Sequence, residues 1–210
     1  MDGRFLTAFV VPRLWKVGCY SLRPYNLRHM MYLTALNSPF TAKNAKPADF
    51  TTENVMAFLR ICSAGHPEDA FGSLSLRELW FRTRMQTDLM FFTRIVSQCY
   101  TYASECSQSP VTLRKDKGEN IKEKGENVPF PLMMVTMMTS KLGMDMEQAW
   151  NTPVGQAVWL LTAFAIQEGS DTQIVSTEDD QRAVEERKAL EKMQAEALAK
   201  IKEEARKSRK

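Results

Sequence analysis

Apolar residues along the chain recur mostly at helical spacing, and the gaps between the recurrences fall at capping and turn residues. Residues 26–36, NLRHMMYLTAL, have helical composition and run into the breaker NSPF with Pro39, which ends a first helix. After NAKPADFTT, Asp49 or Thr51 can cap a second helix, in which Val55, Phe58, Leu59 and Cys62 share one face before Gly65 and Pro67 stop it. Ser75 and Glu78 form an S-x-x-E capping box at the start of the longest pattern in the chain. Downstream, Met85, Leu89, Phe92, Val96, Cys99, Ala103 and Cys106 alternate steps of four and three, which predicts a single seam along one long helix. A seam of this kind must be covered. Packing within the chain is the simpler reading, and a coiled coil between two copies is the other.

Pro129 and Pro131 open LMMVTMMTSKLG, where Met133 with Met137 and Met134 with Met138 stack at i,i+4 and Gly143 closes the helix. Asp145 can cap MEQAW, and Thr152 and Pro153 read as the N-cap and first residue of a helix terminated by Gly169. In that helix Val154, Ala157, Val158, Leu161, Phe164 and Ala165 line one side, and Trp159 with Leu160 widens the face enough to predict nearly complete burial. From Ser176 the pattern changes to one long polar helix, capped by Ser176 or Thr177, with acidic residues first and basic residues last, in line with the helix dipole. Its apolar stripe, Leu190, Met193, Ala197 or Leu198, and Ile201, is too thin for a core helix, so it is expected to project or to pair loosely with a second copy. The charged, glycine-punctuated residues 114–127 read as a mobile loop. With no strand-like alternation, the fold expected is an all-α helical bundle: an N-terminal extension 1–25, the bundle 26–170 and a charged C-terminal helix 171–210.

Composition changes this picture little. Hydrophobic residues at 44% and charged residues at 25% of 210 are globular values. The net charge of +3 lacks the clustered basic face that nucleic-acid binding needs, and the terminal RKSRK reads as a helix end. Thirteen methionines are an excess. Irregular core filling accounts for them most simply, and an adaptable partner surface is the alternative. The segment from Arg4 to Cys19 imitates a secretory signal, but Pro12 and Arg13 interrupt its apolar run and Lys16 occupies the cleavage region, so a soluble, unexported protein is expected. No stretch reaches the roughly 18 apolar residues of a membrane span.

Candidate chemistry is sparse. The four cysteines, Cys19, Cys62, Cys99 and Cys106, show neither a CxxC pair nor histidines at zinc-ligand spacing, and reduced buried thiols are expected. The two histidines, His29 and His66, lie in no recognisable catalytic setting, His66 being in a Gly-Pro turn. There is no P-loop, no G-x-G-x-x-G and no H-E-x-x-H. The residues therefore predict a non-enzyme without cofactor or metal.

Two stretches resemble the tail assembly chaperones and similar small helical accessory proteins of tailed bacteriophages: LNSPFTAKNAKPADFTTENVMAFLRI (36–61) and LGMDMEQAWNTPVGQAVWLLTAFAIQEG (142–169). With the helix between them they cover about residues 30–170, and the charged insertion 114–127 interrupts the likeness. The resemblance implies a protein of the host-cell cytoplasm that binds the tape-measure protein or another tail component during virion morphogenesis. The alternative is a permanent structural or connector protein of the virion. The matching positions are capping and packing residues, so the resemblance carries over no partner contacts. The candidates are Met133, Met134, Met137 and Met138, of which one i,i+4 pair is expected to face outward, and the terminal stripe Leu190, Met193, Leu198 and Ile201, through which weak homo-oligomers would form.

Overall fold

The computed structural model describes residues 3–9, 15–42, 44–65, 67–114, 128–170, 172–175 and Arg182. Along these run α1 (Gly3–Phe9), β1 (Trp15–Val17), β2 (Tyr20–Leu22), α2 (Leu27–Ala35), α3 (Thr52–Ser63), α4 (Leu76–Thr87), α5 (Leu89–Cys106), β3 (Val111–Arg114), α6 (Phe130–Leu142), α7 (Met146–Asn151), α8 (Val154–Gln167) and β4 (Thr172–Val175). The expected terminal helix from Ser176, with Leu190, Met193, Leu198 and Ile201, lies outside the described residues apart from Arg182, as does most of the expected loop 114–127.

Helix starts follow their caps. Thr51 accepts from the Asn54 N–H at 3.2 Å and opens α3, and Asp145 accepts from the N–H groups of Glu147 and Gln148 and opens α7. Asn26 opens α2 with a reciprocal box, its side chain accepting from the His29 N–H at 2.8 Å while the His29 ring accepts from the Asn26 N–H at 3.4 Å. At the other ends, Gly143 adopts φ 65° after α6. Gly169 at φ 84° closes α8 in a Schellman arrangement, with its own N–H on Ile166 O and the Ser170 N–H on Ala165 O. Thr152, expected to cap α8, instead ends α7, and Pro153 takes the cap position.

The mostly helical class holds, but the chain is not purely α. Trp15–Val17 and Tyr20–Leu22 form an antiparallel hairpin turned at Gly18, which sits at φ 57°. A side chain at Gly18 would be strained there and would also fall 2.1 Å from the Phe81 ring. A second antiparallel pair joins the segments after α5 and α8, with Val111 opposite Val175 and Arg114 opposite Thr172. The long helix expected through Met85 to Cys106 breaks at Asp88 (φ −120°, ψ 97°), whose carboxylate accepts from the Phe91 N–H at 2.9 Å and starts a new helix. The break re-phases the seam. Phe91, Ile95, Cys99 and Tyr102 are buried in α5, while Leu89 is 75% exposed.

Of the expected N-terminal extension 1–25, residues 15–25 pack into the fold. Val17, Tyr20, Leu22 and Tyr25 belong to the continuous hydrophobic core, alongside Leu27, Leu33, Phe58, Leu59, Ile95 and Met138. Tyr102 donates its hydroxyl to the Arg23 carbonyl, and the Arg23 N–H donates to Cys62 O at 2.9 Å, which pins this segment between α3 and α5. At Asn26 the chain bridges to the start of α8, with the Leu27 N–H on Thr152 O and the Val154 N–H on Tyr25 O. The α8 N-terminus in turn presses on the exit of α5. A Cβ at Gly155 would lie 2.7 Å from Gln108 O and 2.9 Å from Cys106 O, so only glycine allows the approach.

Burial along α8 is less complete than its composition predicts. Val154, Ala157, Trp159 and Leu161 are buried, whereas Phe164 and Ala165 are half-exposed and Ile166 is exposed. Trp159 stands apart from the continuous core and is covered by α1, where Phe5 meets it edge-on at 5.5 Å and Ala8 O accepts from Gln156.

Candidate functional site

The orientation of α4 is set by its first turn. Glu78 accepts from the Ser75 N–H and hydroxyl at 2.8 Å each and from the Tyr20 hydroxyl at 2.8 Å, and lies 3.4 Å from the Arg60 guanidinium. Partial burial pushes its carboxyl up, but these hydrogen bonds and Arg60 outweigh that and hold its pKa below the usual range. Arg82, one turn on, pairs with Glu53 at 3.0 Å. With Glu78 held inward, Phe81 and Met85 enter the core at 2% and 3% exposure.

The opposite side of α4 is apolar as well. Leu76 is 86%, Leu79 48% and Trp80 61% exposed, at i, i+3 and i+4 along one helix face. Thr83 and Thr87 continue that face, and their hydroxyls donate to the Leu79 and Thr83 carbonyls, so their polar groups are satisfied within the helix. The first turn of α5 adds Leu89 and Met90, 75% and 81% exposed. Arg77, Arg84 and Arg94 are exposed on the same two helices. The Arg84 guanidinium lies 4.3 Å over the Phe91 ring and 5.4 Å over Trp80, and Arg94 lies 5.2 Å over Phe91. Adjoining α3 and α4, a groove of about 310 Å³ is lined by Met56, Ile61, Phe71 and Leu74 together with Arg60 and Arg82.

A smaller apolar patch lies on α6. Met133 and Met137 are 43% and 40% exposed, with Phe130 and Leu132 beside them in sequence also exposed. Met134 and Met138, at 5% and 0%, are core residues and do not offer themselves to a partner, because the inward face of α6 that carries Val135 carries them too. In the sequence the exposed face of α4 is overshadowed by the longer seam that starts at Met85. Its signal, Leu76, Leu79, Trp80 and Thr83 at i, i+3, i+4 and i+7, is nonetheless present.

Among the described residues, the groups capable of chemistry are dispersed or buried. His29 is held neutral: burial first, then Arg23 and Arg28, lower its pKa from 6.5 to about 4, and its ring caps α2. Burial raises the thiols of Cys19, Cys62, Cys99 and Cys106, and all four are free. His66 lies outside the described residues. Among the described residues no three of His, Cys, Asp and Glu are grouped to hold a metal ion. A polar notch of about 260 Å³ near α2 and α7 contains Arg28 and Glu147, which pair with each other at 2.5 Å. No helix among the described residues is long and apolar enough to cross a membrane. Comparison of the chain with protein-family models, with curated proteins and with solved structures finds no match.

Two outcomes follow from these placements. Met133→Ser with Met137→Ser is expected to change unfolding free energy by less than about 1 kcal/mol, and Met138→Ser to cost about 2–5 kcal/mol, the range for large-to-small core changes; urea titration of the variants checks the contrast. For His29, the unfolded chain binds a proton between pH 6.5 and about 4 that the folded chain does not, so stability falls as the pH drops through that window. The loss by pH 4.5 is about 2 kcal/mol. Urea unfolding at pH 7 and pH 4.5 should show it in the native chain and not in His29→Gln; equal acid sensitivity of the two would contradict it.

Proposed function

We propose that this chain is a non-enzymatic protein-binding module that serves as a tail assembly chaperone of a tailed bacteriophage, holding the tape-measure protein or another tail component in the host cytoplasm until the tail assembles. One observation carries the protein-binding part: Leu76, Trp80, Leu89 and Met90 stand 61–86% exposed on two successive helices. Large apolar side chains this exposed on neighbouring helices are a liability unless a partner covers them. The resemblance of residues 36–61 and 142–169 to tail accessory proteins supplies the phage part. The helical-bundle description of the packing, with a polar helix projecting after Ser176, belongs to the same proposal.

The test is mass spectrometry on two fractions of phage-producing cells. A chaperone is recovered in complex with a tail protein from the cell lysate and is missing from purified particles. Recovery in the particles at stoichiometric amounts would replace this reading with a permanent structural or connector protein. Absence of any tail protein from the captured complex, together with absence from particles, would reject both.

A further inference from the structure

Among the described residues the charges on α4 and the first turns of α5 are mostly cationic. Of the acidic groups near the stripe, Glu78 is engaged with Ser75, Tyr20 and Arg60 and Asp88 caps α5, while the exposed Glu53 lines a groove with Gln86, Thr87 and Leu89. Arg82 is paired with Glu53. Arg77, Arg84 and Arg94 form no ion pair among the described residues, although they are exposed beside Leu76, Trp80 and Met90. Among the described residues the surface is thus an apolar stripe beside guanidinium groups that have no ion-pair partner. Every cation along α4 and α5 is arginine and none is lysine. The guanidinium forks match planar carboxylates in bidentate geometry, and Arg84 and Arg94, lying over aromatic rings, are partly pre-positioned for such pairing.

Taking this together with the protein-binding reading on which it rests, we infer that the α4–α5 surface docks an amphipathic helix of a partner protein, whose apolar stripe lies along Leu76, Leu79 and Trp80 and whose flanks are Asp and Glu. A helix is the matching shape because the stripe repeats at i, i+3 and i+4, the spacing that packs ridges into the grooves of another helix. The 12 residues of α4 extend about 18 Å, which sets the partner at about three turns or more. A second copy of this chain is the wrong occupant for a two-fold contact, since that would set arginine against arginine.

The experiment uses the full chain and synthetic peptides of about 18 residues, long enough for helix to form. One peptide carries leucines at i, i+3, i+4 and i+7 with Glu on both flanks, the other the same leucines with Lys flanks. By fluorescence anisotropy the Glu peptide should bind at least about tenfold more tightly than the Lys peptide. Leu76→Ser, at a site open enough to leave the melting temperature unchanged, should weaken the Glu peptide about tenfold, and Arg84→Glu with Arg94→Glu should reverse the preference. Equal binding of the two peptides, or Glu-peptide binding indifferent to both sets of substitutions, would overturn the inference. So would a photo-crosslinking amino acid in place of Leu76 that captures residues 176–210 of its own chain or a second copy, or binding of anionic phospholipid vesicles at this surface in place of the Glu peptide. Because no phage component enters the assay, Glu-peptide binding without recovery of a tail protein removes only the tail assignment, whereas recovery of a tail protein without Glu-peptide selectivity removes only this inference.

Discussion

Glu78 is the constraint on which the exposed surface depends. Its carboxylate closes the capping box with Ser75, receives the Tyr20 hydroxyl from the N-terminal hairpin and faces Arg60 of α3, so three separate parts of the chain converge on it. A helix with apolar residues on two sides has no single preferred rotation from hydrophobicity alone. The anchored carboxylate breaks the tie in favour of Phe81 and Met85 facing inward, and Leu76, Leu79 and Trp80 are then obliged to face out. An intramolecular polar contact thereby decides which apolar stripe remains for other molecules.

Behind that anchor, the N-terminal segment acts as the hub. The Tyr25, Phe58 and Tyr102 rings meet pairwise at centroid distances of 6.0–6.3 Å, and the Tyr102 hydroxyl donates to the Arg23 carbonyl. The same strand of chain bonds to both sides of the Thr152–Val154 turn. Removing residues 15–25 would strip α3, α5 and α8 of a shared neighbour at once, so these residues cannot be separated from the domain.

Local signals made the helices legible. Thr51, Ser75, Asp145 and Gly143 each mark a boundary through a hydrogen bond or a backbone angle fixed by the residue type itself. What escaped was set by short or competing signals. The hairpin strands are three residues each, too short for alternation to stand out, although Trp15-Lys16-Val17 and Tyr20-Ser21-Leu22 alternate half-buried or buried residues with exposed ones. The α4–α5 break hangs on one residue, Asp88, which reads equally well as an exposed helix position and as a cap. The α6 methionines show the limit of spacing: i,i+4 pairing says that two residues share a face, and only the neighbours decide that Met134 and Met138 take the inner one.

Partner binding at α4 and α5 requires that this surface be open to solvent in the free chain. Hydroxyl-radical footprinting of the full chain, read by mass spectrometry, measures this directly because methionine and tryptophan report on their own exposure. Met90 and Trp80 should be modified rapidly, at rates near those of a denatured control, while Met85 and Met138 stay protected. Protection of Met90 and Trp80 to the level of Met85 would mean that the surface is already covered, and the chain would then have no open apolar face at α4 and α5 to offer a partner.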